Sequence, residues 1–177
     1  YSIYIYVDRI CNMAEEIAFD IETTGLNPFK DRVISIAVKT DTEEHIFTNK
    51  KERIILEKFW SFLRSLESIK LIGFNSFTFD IPFLYIRSLK HKVRAIDVRY
   101  KSVDLRFLIA FGNKFKSGTL EDYSKLIGYT AKYNGYSGKH LPLLWKEGKL
   151  DKLKEYALQD VKMTFELYQK VKEIGLC

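Results

Sequence analysis

The sequence predicts an α/β fold: a mixed central sheet, made of a three-strand antiparallel meander plus parallel strands, flanked by helices. Three observations carry this. Apolar runs of strand character at 17–22, 33–39 and 44–48 follow one another across short links, the spacing of a meander. From residue 52 onward, segments of helical period alternate with short apolar runs, the order of helix-linked strands. The stretch Asp151 to Ile174 carries the most complete helical stripe, through Leu153, Ala157, Val161, Thr164, Phe165, Tyr168 and Val171.

In chain order, Ile17 to Glu22 alternates so that Phe19 and Ile21 share one face and Asp20 and Glu22 the other. Thr23-Thr24-Gly25-Leu26-Asn27-Pro28 then supplies turn residues leading into the strand at Val33–Val38. An amphipathic helix over 52–66 presents Ile55, Phe59, Phe62 and Leu66, and a buried strand follows at 69–74. Asp80 sits where Pro82 marks a helix start, with Ile81, Phe83, Leu84, Ile86 and Leu89 as its apolar positions. Taken alone, Asp80 reads as an N-cap. A short strand near 94–98, a helix from about Leu105 and another at 119–127 complete this part, with Asp104 and Thr119 as N-caps and Gly128 as a C-cap. The loop from Tyr129 to Pro142 carries Lys132, Lys139, His140 and several tyrosines. It reads equally as a holder of single strands by stacking and charge or as a plain connection.

Composition sets outer bounds. At 177 residues and 46% hydrophobic content, the chain is long enough for one well-buried domain, assigned to 14–177. Residues 1–13 read as an N-terminal extension or extra strand, since Met13 before Ala14-Glu15-Glu16 is a candidate native start. Lys plus Arg outnumber Asp plus Glu by 29 to 23, a net charge of +6 that suits a polyanion partner or, equally, a lysine-rich solvated surface. Cys11 and Cys177 form no metal or redox spacing, so a reduced, cytoplasmic setting is expected. No run approaches the ~20 apolar residues of a membrane span, so no membrane partner is expected.

The acids carry the chemistry. Asp20 and Glu22 lie side by side on one strand face, an arrangement whose repulsion and desolvation call for a cation or for water between them. With no nearby Cys or His, such a site favours Mg2+ or Mn2+ over zinc. Tyr156 and Asp160 stack one turn apart on the last helix, where Asp160 interrupts the apolar side. Each motif alone has a plainer reading: an acidic edge strand for Asp20-Ile21-Glu22, a helix cap for Asp80, a lysine ion pair for Asp160.

Jointly, the segments FDIETTGL at 19–26, FNSFTFDIPF at 74–83 and YALQD at 156–160 resemble the motifs of the DEDD superfamily of 3′–5′ exonucleases, DEDDy branch. The likeness is nearest to the proofreading exonuclease domain of family B DNA polymerases and its stand-alone prokaryotic relatives, and runs from about Glu16 to Ile174. The resemblance implies a ribonuclease H-like fold, with Asp20 and Glu22 on a central strand. It implies metal ligation by Asp20, Glu22, Asp80 and Asp160 to two ions, and a catalytic tyrosine at Tyr156. It also implies substrate contacts by Thr23, Thr24, Leu26, Asn75 and Phe79. For Leu26 and Phe79 the plainer reading is a side chain tucked into the core. The implied partner is the 3′ end of single-stranded nucleic acid, DNA favoured over RNA. No polymerase palm or thumb sequence is present, so a proofreading role would act in trans with a polymerase or repair proteins. Two readings stay open beside the DNA exonuclease: an exoribonuclease using the same site, and a non-catalytic nucleic-acid-binding module of the same fold.

Overall fold

The computed structural model describes residues 14–113, 118–129 and 137–177. The segment 1–13, and with it the expected extension or extra strand, lies outside the described residues, as do positions 130–136 of the expected loop.

Strands β1 (Glu15–Thr23), β2 (Val33–Lys39) and β3 (Glu44–Thr48) form the expected meander. Helix α1 (Glu52–Ser65), strand β4 (Ile69–Gly73), helix α2 (Asp80–His91) and strand β5 (Ser102–Asp104) follow. The chain continues through α3 (Leu105–Ile109), α4 (Leu120–Leu126), a 3-10 turn at Gly138–His140, α5 (Leu141–Lys146) and α6 (Leu150–Glu173). The five strands lie in the order β3-β2-β1-β4-β5. β1 is therefore central, antiparallel to β2 and parallel to β4, and β5 extends the sheet in parallel beyond β4.

The period of β1 divides the molecule into two layers. Ile17, Phe19 and Ile21 face α1 and α2, where they join Phe59, Trp60, Phe83 and Leu84 in the largest buried cluster. Loss of one such ring, as in Phe59→Ala, removes about 3–5 kcal/mol. On the opposite face Ala18 and Ala37 meet Ala157, Val161 and Phe165 of α6. The small alanines let the long helix lie close to the sheet.

Contacts along β1 fix the direction of α6. Glu16 accepts hydrogen bonds from Tyr168 Oη at 2.7 Å and Lys172 Nζ at 2.8–2.9 Å, whereas Ala18 packs against the Ala157–Phe165 stretch. The helix runs antiparallel to β1. Six residues of strand cover roughly 20 Å and sixteen of helix roughly 24 Å, so the end of β1 that carries Glu22 meets the turn of α6 that carries Tyr156 and Asp160.

Two expectations need correction. No strand forms at 94–98; the backbone there is irregular, and the fifth strand is three residues at Ser102–Asp104. Val98 is fully buried, which accounts for the apolar signal, but its N–H donates to the Tyr85 hydroxyl rather than to a strand neighbour. Second, the loop expected to reach Pro142 ends sooner, in α5. Pro142 stands in the first turn of that helix, where its missing N–H costs nothing, and Leu141 and Leu144 pack on Ile34 and Leu153.

Candidate active site

The end of β1 is shaped by a turn that its own side chains close. Thr23 Oγ1 donates to Gly25 O at 2.7 Å, and Asp31 Oδ2 accepts the Asn27 N–H at 2.9 Å. Thr24 Oγ1 donates to Asp31 and accepts the Arg32 N–H at 3.1 Å. A Cβ at Gly25 would lie 2.5 Å from Asp31 Oδ2, so any larger residue there would displace the carboxylate that accepts the Asn27 N–H. The turn thus presents Leu26 outward at 82% exposure, which overturns the core reading of that residue.

Asp20, Glu22 and Asp160 converge. One carboxylate oxygen from each lies within 4.8 Å of the others, bringing together two neighbours on one strand face and an acid from α6. Asp80 joins from α2. It is buried, and its Oδ1 accepts the Ile21 N–H at 3.2 Å. Phe79, not Asp80, occupies the N-cap position of α2, so the isolated capping reading of Asp80 fails.

Charge among these groups is costly. Burial, then the neighbouring Glu22, Asp80 and Asp160, push Asp20 well above the usual carboxylate range. Glu22 is raised likewise by burial, Asp160 and Asp80. Burial lifts Asp80 to about 7 against hydrogen bonds from Ile21 and its own backbone, and Asp104 adds to the rise. The Glu22 Oε1 atom is buried and lacks a hydrogen-bond partner. A carboxylate oxygen left this way is expensive unless a cation meets it, and an all-oxygen donor set matches hard divalent ions. The residues present therefore fit a divalent cation.

Tyr156 lies at the edge of the cluster. Burial, followed by the charges of Asp160, Glu22 and Asp20, raises its phenol pKa further above its ordinary value. It packs beside Trp145 against the Leu141, Leu144 and Leu153 cluster.

The remaining predicted contacts divide. Asn75 has φ 62°, and its Oδ1 accepts Thr78 Oγ1 at 2.7 Å and Arg106 Nη1 at 3.1 Å, which makes it a turn organiser beside the acids. Phe79 is half-buried and packs on Phe83 with ring centroids 5.4 Å apart, so much of its face belongs to the core. Asp104 is the N-cap of α3, as expected, accepting the Phe107 N–H. It also accepts the Asn75 and Phe77 N–H groups at 3.0 and 2.9 Å, a link across 27–29 residues that no local pattern signals.

The sequence reading also missed a buried ion pair with a half-buried histidine beside it. Glu52 accepts two hydrogen bonds from Arg87, at 2.8 and 2.6 Å, and contacts His91 Nε2 at 2.7 Å. Glu52 also accepts the Val33 N–H, and Arg87 donates to Pro28 O. The pair therefore grips the turn that follows β1 at its middle and at its exit into β2. A glutamate beginning an amphipathic helix was the available signal.

The profile of the RNase H superfamily matches residues 17–172. The chain belongs to the RNase H superfamily. This RNase H member is 35% identical over 175 residues to an uncharacterized protein of Methanocaldococcus jannaschii, covering 93% of this chain and 98% of the other. It is 27% identical over 184 residues to a DNA polymerase of Archaeoglobus fulgidus, covering 90% of this chain and 23% of the polymerase. Its fold also matches the family B DNA polymerase of Pyrobaculum calidifontis at a TM-score of 0.77 and 24% identity, over 92% of this chain and 25% of that one. The chain thus spans about a quarter of each polymerase. Superfamily membership and the carboxylate cluster together support a nuclease. Among the described residues, no helix is long and apolar enough to cross a membrane.

Proposed function

We propose that this protein is a 3′–5′ exonuclease that hydrolyses single-stranded DNA from its 3′ end with two divalent ions, Mg2+ or Mn2+. The observation that carries the reading is the convergence of Asp20, Glu22 and Asp160 beside Tyr156, with the Glu22 Oε1 atom buried and unpartnered. The DEDDy motif order and the likeness to a DNA polymerase of Archaeoglobus fulgidus support the polarity and the substrate.

A phosphodiester is anionic and repels hydroxide, so a ring of carboxylates alone would oppose the reaction. Bound divalent ions supply the Lewis acidity that activates water and stabilises the leaving 3′ oxygen. In this reading Asp20, Glu22, Asp80 and Asp160 would hold the ions, with Asp20 shared between them, Glu22 and Asp160 completing one site and Asp80 serving the other. Tyr156 keeps its proton across the physiological range and orients the attacking water by hydrogen bond rather than acting as a base. Thr23 and Thr24 stiffen the turn that meets the terminal nucleotide, Leu26 wedges against its base, and Asn75 and Phe79 line the groove.

The test is a gel time course with 5′-labelled single-stranded DNA and matched RNA in Mg2+, Mn2+ or EDTA, with Asp20→Ala and Asp160→Ala alongside. A metal-dependent ladder shortening from the 3′ end, absent in both variants, is expected with DNA. Preferential shortening of RNA would convert the reading to an exoribonuclease. Intact strands under every condition, with binding retained, would leave a non-catalytic module.

A further inference from the structure

Near Asp80 lies a cleft of about 370 Å3 lined by Asn75, Phe77, Thr78, Asp104, Arg106 and Phe107, with Gly112 and Asn113 also at its wall. We propose that this cleft is a subsite for an unstacked nucleobase of the single strand, upstream of the nucleotide being removed. The inference rests on the nuclease reading and extends it from the terminal nucleotide to the strand behind it.

Four observations support this occupant. Phe77 and Phe107 are 41% and 59% exposed, and their rings stand 6.2 Å apart at 48°. Two solvent-facing rings at that spacing form a stacking platform, and exposed aromatics beside a cation fit a nucleobase and its phosphate better than an uncharged apolar ligand. Second, the cation is positioned: Arg106 Nη1 donates to Asn75 Oδ1 at 3.1 Å, placing a guanidinium at the wall of the cleft. Third, the floor is built. Asp104 is buried and accepts the N–H groups of Asn75, Phe77 and Phe107, so one carboxylate fixes the backbone beneath both rings. Gly112, at φ +73°, sits so close to Phe107 that an added Cβ would lie 3.3 Å from the ring edge. Fourth, the cleft lies near Asp80. Thr78 lies two residues before Asp80, and the charge of Asp104 is felt by Asp80.

Two rings of this kind discriminate a single strand from a duplex, because only an unstacked base offers its face. The experiment places 2-aminopurine at successive positions back from the 3′ end of a single-stranded DNA and measures fluorescence with the protein in EDTA, so that no cleavage occurs. Quenching is expected at one interior position. It is lost in Phe77→Ala with Phe107→Ala, with affinity for the strand falling about tenfold or more, and it is kept in Phe107→Trp. A thermal melt of each variant checks folding. With metal, the double variant raises KM on a long strand while leaving KM for a dinucleotide, too short to reach the cleft, unchanged. Equal quenching and affinity in wild type and double variant would overturn the subsite even if strands are cleaved. Quenching that depends on the rings, without cleavage in any metal, would uphold the subsite and overturn the exonuclease.

Discussion

The carboxylate of Asp80, at the first turn of α2, accepts the backbone N–H of Ile21 at 3.2 Å. The residue between Asp20 and Glu22 is thereby tied to a third acid, and this bond favours the charged carboxylate of Asp80 without offsetting the burial that raises it. Repulsion among Asp20, Glu22, Asp80 and Asp160 is built into the metal-free protein.

Neutralising one acid should therefore stabilise the protein while ending its chemistry. Asp20→Asn is expected to gain about 1 kcal/mol in EDTA, because it removes a buried like charge without changing shape. Mg2+ should raise the melting temperature of wild type but not of the variant. Melting temperatures in EDTA and Mg2+ check this; a variant less stable than wild type in EDTA contradicts it.

If the hydroxyl orients water and carries no charge, as proposed, Tyr156→Phe should slow cleavage by roughly tenfold to a hundredfold without abolishing it. Its pH–rate profile should keep the wild-type shape, because the phenol does not titrate in the accessible range. Disappearance of an alkaline limb in the variant would instead assign the tyrosine as the base.

Leu26 tests the substrate turn separately from the fold. At 82% exposure it contributes little packing, so Leu26→Ala should change stability by less than about 0.5 kcal/mol. KM for single-stranded DNA should rise severalfold. Urea unfolding and steady-state kinetics separate the two effects, and an unchanged KM would remove Leu26 from the substrate contacts.

Glu52 sets an acid limit on stability. Burial alone would raise its pKa, but hydrogen bonds from Arg87, the Val33 N–H and His91 outweigh this and hold the carboxyl below its ordinary 4.5. Its stabilisation is thus fully present above about pH 4.5 and is lost as pH falls through the lower folded value. Glu52→Gln leaves the Arg87 charge buried and should cost about 3 kcal/mol at neutral pH. Because the pair grips Pro28 and Val33, the turn bearing Leu26 should loosen as well. Urea midpoints between pH 3 and 7 check the slope; parallel curves for wild type and variant would contradict the linkage.

Much of the fold was legible in the residues. The alternation of Ile17, Phe19 and Ile21 against Asp20 and Glu22 fixed which face of β1 turns to the apolar helices. The period from Leu153 to Val171 did the same for α6, and every stripe position named there is buried. Such patterns survive in a sequence because burial selects them residue by residue. The pattern misled at 94–98, where the buried Val98 imitates a strand while tertiary contacts take its backbone N–H elsewhere.

The sequence by itself supplied the four acids, the tyrosine, their motif order and the strand and helices that carry them. Only the tertiary structure decided that Asp20, Glu22 and Asp160 lie within 4.8 Å of one another and that Glu22 Oε1 has no partner. It alone showed Leu26 projecting, Asp104 bracing two aromatic rings, and Arg87 meeting Glu52. These relations join residues dozens of positions apart, and their geometry depends on how α2, α3 and α6 pack around the sheet. Local propensity and periodicity act over a few residues, so they can name the groups but not the distances between them.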